Sequence, residues 1–268
     1  MASPSSQTGA IRTALPPIIF RSDDAEYELK RLFDAFYELA QKADNLFASP
    51  TEAFSVGDRI YHLPRFLFFG PNQGSGSIRL ALYAGWNGDD VRGSLALLSL
   101  IERLIQYPGE AAGYQLVFYP LVNPTGFQDH TPATRGGVRL ETENWATSEA
   151  PEIGVLAKEF RLHRIDGWVS LHSTPAHDRI QARVRGLPVN ADFFPVERGR
   201  FRIDWQTDSS PSSEGPFALN GDLPFGSFQL RLDVPAAWPD GLHTQAVAKT
   251  VSAFLERYRA AIAYAANL

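Results

Sequence analysis

Ala84-Gly85-Trp86-Asn87-Gly88-Asp89-Asp90 lies between an apolar run, Ile78 to Tyr83, and a helical pattern that begins near Val91. An apolar run followed by a glycine-rich turn and an amphipathic segment predicts a strand–turn–helix unit. Leu95, Leu98, Ile101, Leu104 and Ile105 give the helix its apolar side, and Pro108 lies just beyond its end. Residues 114–122 are apolar nearly throughout, as expected of a strand covered on both faces, and run into Asn123-Pro124-Thr125-Gly126. Residues 149–162 predict another helix, with Ile153, Leu156, Ala157 and Phe160 on one side. A short buried strand over 168–171 then carries His172 and Ser173 at its end.

The flanks extend the same alternation. Ser22-Asp23-Asp24 offers an N-cap and an acidic first turn to a helix with Leu29, Leu32, Phe33, Phe36, Leu39 and Ala40 at helical spacing. Strands are expected over 54–61 and 63–69, before a turn-rich segment at 71–77. Later strands are expected at 201–205 and 228–234, with an exposed loop at 208–216 between them. A final helix places Val247, Val251, Phe254, Leu255, Tyr258 and Ile262 on one stripe. Strands alternating with helices predict an α/β fold: a mixed, twisted β-sheet with helices on both faces. No internal repeat is visible.

With 268 residues, 44% of them hydrophobic, the chain suffices for one large domain, expected over 15–268. Residues 1–14 are small and polar, lack a basic segment followed by an apolar core, and read as a disordered tail. A net charge of −5 argues against a nucleic-acid partner, whose footprint is basic. No apolar stretch approaches the roughly 20 residues that cross a bilayer, so no membrane partner is expected and the location is read as cytoplasmic. Cysteine is absent, which removes disulfides and thiolate metal sites.

In open α/β sheets, ligands sit beyond the carboxyl ends of the strands, where Asn87–Asp90, Asn123–Gly126 and His172 all fall. In that order and context the three clusters resemble the zinc carboxypeptidase family, the carboxypeptidase A/B-like metallopeptidases, from about residue 54 onward. The resemblance implies their fold, a zinc cofactor and a peptide or small amide ligand. It also implies a metal set of Asn87, Asp90 and His172, at the positions where the family carries His, Glu and His. Asn87 is a neutral amide and Asp90 one methylene short, so the substitutions argue against tight zinc binding.

The other functional positions have changed as well. The stretch Thr134-Arg135-Gly136-Gly137-Val138-Arg139-Leu140-Glu141-Thr142 is similar to the family's Gly-Val-Asp-Leu-Asn-Arg region. There Glu141 and Thr142 replace the Asn-Arg pair that binds the substrate's terminal carboxylate, and Arg139 replaces the Asp. The resemblance therefore places substrate binding at Arg139, Glu141 and Thr142. It gives Arg135 the part of the transition-state arginine and Asp233, in Leu232-Asp233-Val234, the part of the general-base Glu. The family's late tyrosine has no counterpart, since no Tyr occurs between Tyr119 and Tyr258.

Three functions follow from these residues. The first is a carboxypeptidase-like protein whose peptidase site is impaired or lost, serving as a binding module or residual hydrolase. The second is an active metallohydrolase, cleaving a C-terminal peptide or amide bond, in which His177, His130 or Asp178 joins Asp90 and His172 while Arg139 supplies the clamp. Aspartoacylase-type amide chemistry on the same fold falls under this second reading. The third is an α/β domain whose polar turns are only helix caps.

Overall fold

The computed structural model describes residues 24–72, 74, 76–187, 197–198, 201–208, 215–216, 219 and 227–265. The tail expected at 1–14, Ser22-Asp23 and most of the loop at 208–216 lie outside them. In chain order the elements are α1 (Asp24–Lys42), β1 (Leu46–Ala48), β2 (Phe54–Val56), β3 (Arg59–Tyr61), β4 (Phe66–Phe69), β5 (Ile78–Tyr83) and α2 (Arg92–Gln106). They continue with β6 (Tyr114–Tyr119), α3 (Pro124–Gln128), α4 (Pro151–His163), β7 (Gly167–Thr174) and β8 (Ile180–Arg185). The last are β9 (Glu197–Arg198), β10 (Phe201–Asp208), β11 (Phe228–Pro235) and α5 (Asp240–Ala265).

Nine strands form one mixed sheet in the order β1-β4-β6-β5-β7-β11-β8-β10-β9, while β2 and β3 make a separate hairpin. The central four, β6, β5, β7 and β11, run parallel to one another, so their carboxyl ends share one edge. There β5 leads into Ala84–Asp90, β6 into Asn123, and β7 and β11 carry His172 beside Asp233 in register. All three polar clusters thus lie at one edge of the sheet.

Each face of the sheet has its own core. On one, Leu80, Leu82, Leu116, Phe118, Val169, Leu171, Leu230 and Leu232 pack against side chains of α1, α2 and α5. On the other, Ala81, Tyr83, Val117, Tyr119 and Trp168 meet Ile153, Leu156 and Phe160 of α4. A central strand with neighbours on both edges and helices on both faces has no wet side, which accounts for a β6 that is apolar but for Gln115. Among the described residues the second cluster takes no member from β11, β8 or β10. There the same sheet face turns polar.

Four local expectations need correction. The buried stripe of α2 is Ala96, Leu97, Leu100, Ile101 and Leu104, rotated from the stripe expected, with Leu95, Leu98 and Ile105 only half-buried. The small residues Gly93 and Ser94 draw this helix onto the sheet. A Cβ at Gly93 would lie 3.2 Å from Ala84 Cβ, and Ser94 Oγ donates to the Pro120 carbonyl at 2.5 Å. Ile262 sits 43% exposed, so α5 leaves the core before its last turns. Asp208 ends β10 rather than opening a loop. Finally, strands β1, β8 and β9 were not expected.

The loops after β5 and β6 are built against each other. Gly85 adopts φ +65°, a region open chiefly to glycine, and its carbonyl accepts the Asn123 N–H at 3.0 Å. At Gly88 an added Cβ would stand 2.0 Å from the Gly126 carbonyl carbon and 2.1 Å from the Phe127 nitrogen. Asn123-Pro124-Thr125-Gly126 opens the short helix α3, with Asn123 Oδ1 accepting the Gly126 N–H at 2.8 Å. Behind it, the Thr125 hydroxyl donates to Glu152 Oε1 at 2.5 Å, while Glu152 Oε2 is buried without a hydrogen bond.

Gly88→Ala is expected to cost more than about 2 kcal/mol, because the obstacle is backbone that cannot swing aside. Gly154→Ala, in the exposed middle of α4 with open space around its Cα, is expected to gain roughly 0.5–1 kcal/mol. Chemical denaturation of the two variants checks both signs. Burial lifts the Glu152 carboxyl above its ordinary range. Its ionisation then opposes folding: no penalty exists while both states are protonated, and one develops as pH rises from the unfolded pKa toward the folded one. Glu152→Gln keeps the acceptor for Thr125, so its melting temperature should exceed wild type near about pH 7.5 and converge with it near about pH 4. Parallel pH profiles would refute this account.

Candidate functional site

Strand alternation sends Trp168, Ser170 and His172 of β7 to the polar face of the sheet, with Gln229, Arg231 and Asp233 of β11 and Gln181, Arg183 and Arg185 of β8. Register arranges them in three rows across the strands: Trp168, Gln229, Arg185; then Ser170, Arg231, Arg183; then His172, Asp233, Gln181. The intervening residues, among them Leu171, Ala182, Val184, Leu230 and Leu232, enter the aliphatic core on the opposite face. Charge on this face therefore follows directly from period-two patterning.

Asp233, 3% exposed, is held by the neighbouring guanidinium on its own strand. Arg231 Nε donates to Oδ1 at 3.0 Å and to Oδ2 at 3.2 Å, and Arg231 Nη2 stands 3.0 Å from Oδ1. Across the antiparallel pair, Arg183 Nη2 approaches Oδ2 at 3.5 Å. Arg231 Nη2 also lies 3.8 Å from Glu141 Oε2, which sits 3.2 Å from His172 Nδ1. That last contact has ion-pair distance without hydrogen-bond alignment, since Nδ1 makes no hydrogen bond. Burial lowers the His172 pKa, so the imidazole is neutral near pH 7, and it stacks on Trp86 with centroids 5.7 Å apart and planes at 13°. Contact with His172, helped by Arg231 and Arg139, holds the Glu141 carboxyl below its ordinary range against its own burial.

Asp90 is engaged elsewhere. Its Oδ1 accepts the Arg92 N–H at 3.1 Å and Arg92 Nε at 2.8 Å, and Arg92 reaches on to the Ala236 carbonyl. Burial alone would raise its pKa, but Arg92 and a hydrogen bond with Ser173 outweigh it and the carboxyl falls below the ordinary range. Ser173 Oγ in turn lies 3.2 Å from Nε2 of the buried His243. Ser173 alternates with His172 along β7, so Asp90 is tied to the opposite side of the strand from the imidazole. Asn87 is half-buried, and its Oδ1 makes no hydrogen bond.

The remaining expected residues are exposed or held by other partners. Arg135 is bound to both Asp129 oxygens, with Nε–Oδ2 at 2.8 Å, and its Nη1 donates to Tyr61 Oη at 3.1 Å. Arg139 and Thr142 are exposed, with the Thr142 hydroxyl donating to the Arg139 carbonyl at 3.2 Å. His130 is exposed, and the Asp178 side chain is 87% exposed and faces Arg179.

A zinc ion does not fit this arrangement. Catalytic zinc takes three protein ligands and leaves one position open. Here the Asp90 carboxylate is saturated by Arg92 and Ser173, Asn87 offers only an amide, and His172 faces Glu141 and a tryptophan. Among the described residues no group of three His, Cys, Asp or Glu side chains is placed to hold a metal ion.

Beside the network lies a cavity of about 100 Å³, lined by Trp86, Trp145, Trp168, Ser170, His172 and Arg231, with Glu141, Arg183, Arg185 and Gln229 at its sides. Asn123 positions one wall, its Nδ2 donating to the Trp86 carbonyl at 3.0 Å. The sequence reading did not reach Arg183 and Arg185 or the tryptophans. The signal was present in Ile180-Gln181-Ala182-Arg183-Val184-Arg185, a strict apolar–polar alternation.

No family model and no curated protein matches the sequence. The fold, by contrast, has clear relatives among solved structures. A candidate metallopeptidase of Shewanella baltica OS155 superposes with TM-score 0.63 at 16% identity, over 85% of this chain and 92% of that one. A metallo-carboxypeptidase of Burkholderia cenocepacia gives 0.65 at 11% identity, over 86% and 69%. Carboxypeptidase A of Helicoverpa armigera gives 0.59 at 14%, over 89% and 73%. The chain thus carries the fold of the zinc carboxypeptidases, on a scaffold whose described residues include no intact metal-binding triad.

Proposed function

We propose that this protein is a carboxypeptidase-like binding module for a peptide or small amide ligand, in which an ion-pair network has replaced the hydrolytic centre. The observation that carries the reading is Asp233, at the position matching the family's general base. Both of its oxygens are engaged by guanidinium donors from Arg231 and Arg183. Such a pairing fixes a carboxylate in place rather than presenting it to a water molecule.

The metal positions support the same reading. Asn87, Asp90 and His172 stand where the ligands are expected, yet Asp90 serves Arg92 and His172 serves Glu141. Zinc, where it binds at all, is expected to bind weakly at such a set. Arg135, expected to stabilise a transition state, is occupied by Asp129, and Glu141 sets an anion at the position of the family's carboxylate clamp. What remains suited to a ligand is the cavity next to His172, walled by indoles and guanidiniums.

The metal content of purified protein tests this directly. After equilibration with Zn²⁺ and dialysis, wild type and His172→Ala should both hold far less than about one zinc per chain. Peptides should bind without being cleaved. One zinc per chain lost in His172→Ala, with peptide hydrolysis abolished by Asp233→Ala, would overturn the reading in favour of an active metallohydrolase.

A further inference from the structure

The charges around the cavity beside His172 cancel. Among the described residues, the carboxylates of Glu141 and Asp233 meet the guanidiniums of Arg183 and Arg231. His172 is held neutral by burial, and Arg185 has a partner of its own. An incoming anion would press on the two carboxylates, and a cation on the two guanidiniums, in a space lined partly by indoles and poorly screened by water. An aliphatic group would strip water from these ions and return no hydrogen bond. The balance selects a group that is polar and uncharged.

The hydrogen-bonding capacity left over is also of both kinds. A guanidinium carries five N–H donors, yet Arg183 brings only Nη2 near Asp233, at 3.5 Å, with 47% of its side chain exposed. Glu141 meets His172 and Arg231 through Oε2, at 3.2 and 3.8 Å; its Oε1 makes no hydrogen bond, and the side chain is 18% exposed. Both residues line the cavity, with the half-buried Gln229 beside them. A carboxylate only accepts and an ammonium only donates, whereas a carboxamide accepts through its oxygen and donates through its nitrogen. A volume of about 100 Å³ holds one such head group, not a length of peptide.

We propose that this cavity takes an uncharged carboxamide, the side chain of a Gln or Asn in the ligand, with Arg183 donating to its oxygen and Glu141 accepting from its nitrogen. The inference rests on the binding-module reading and names the ligand group that this module selects. The Arg231–Asp233 pair, which Arg183 and Glu141 both approach, holds the two in place.

Calorimetric titration of the full chain with N-acetyl-Ala-Xaa-Ala N-methylamides, Xaa being Gln, Glu, Lys or norleucine, tests the assignment, since the probes differ in one side chain alone. The Gln peptide should bind most tightly, with the other three weaker by roughly tenfold or more, the size of one hydrogen bond to a charged group lost. Glu141→Gln leaves a guanidinium in excess and should move the preference toward the Glu peptide. Arg183→Gln leaves a carboxylate in excess and should move it toward the Lys peptide. A merely structural role for either residue would weaken all four peptides alike, and preferences unmoved in both variants would overturn these two residues as the partners. Equal binding of the four to wild type, or tighter binding of any other than Gln, would overturn the carboxamide assignment and leave the binding-module reading standing. Binding of none would overturn both.

Discussion

Two loops press backbone to backbone where β5 and β6 end, and much of the molecule follows from that contact. Gly88 meets Gly126 and Phe127 with no room for a Cβ, and Asn123 closes the junction through Gly126 and Trp86. Because the Trp86 carbonyl is fixed there, its indole is fixed over His172. A stereochemical need for small residues at a strand–helix turn thus determines where an aromatic wall of the cavity stands. The same frame would hold a metal-ligand loop in a peptidase. In this chain it holds a tryptophan and an amide, so one fold can present different residues at the same strand ends.

The network on the polar face raises an energetic question that its geometry answers. An aspartate almost wholly buried in a sheet is costly unless its charge is met by well-directed donors. Arg231, two residues away on the same strand, is the nearest donor that alternation can provide, and it meets Asp233 through two of its nitrogens. Arg183, on the adjacent strand, completes the surroundings. Reaction at Asp233 would require these contacts to loosen. One pairing both offsets the burial of Asp233 and occupies its oxygens.

Much of the fold was legible in the sequence because its strongest signals are local. The apolar runs of β5 and β6, the alternation of β11 and the stripes of α4 and α5 have the right length and period. The glycine-rich frame at 85–93 and the Asn-Pro-Thr-Gly segment identified the scaffold even where the functional residues had changed. Strand β8 escaped because six alternating residues with two arginines look as much like exposed chain as like a sheet, and burial was decided by neighbours far away in sequence. Glu141 was legible as a departure from the clamp. That it would face His172 was not, since a loop residue's partner depends on tertiary placement. For α2 the stripe was misjudged by a fraction of a turn, because Gly93 and Ser94 face the sheet and carry no hydrophobic signal.

The split between a charged face and an aliphatic one on β7, β11 and β8 also bears on how the chain finds its structure. Sliding β11 by one residue against its neighbours would carry Gln229, Arg231 and Asp233 into the layer now filled by Leu230, Leu232 and Val234. A shift of β8 would do the same with Arg183 and Arg185. Every such misalignment strands ionised groups in hydrocarbon, so wrong pairings are penalised far more heavily than in a sheet apolar on both sides. The polar patch therefore acts during folding as well as after it, proofreading the alignment of three strands before any ligand arrives.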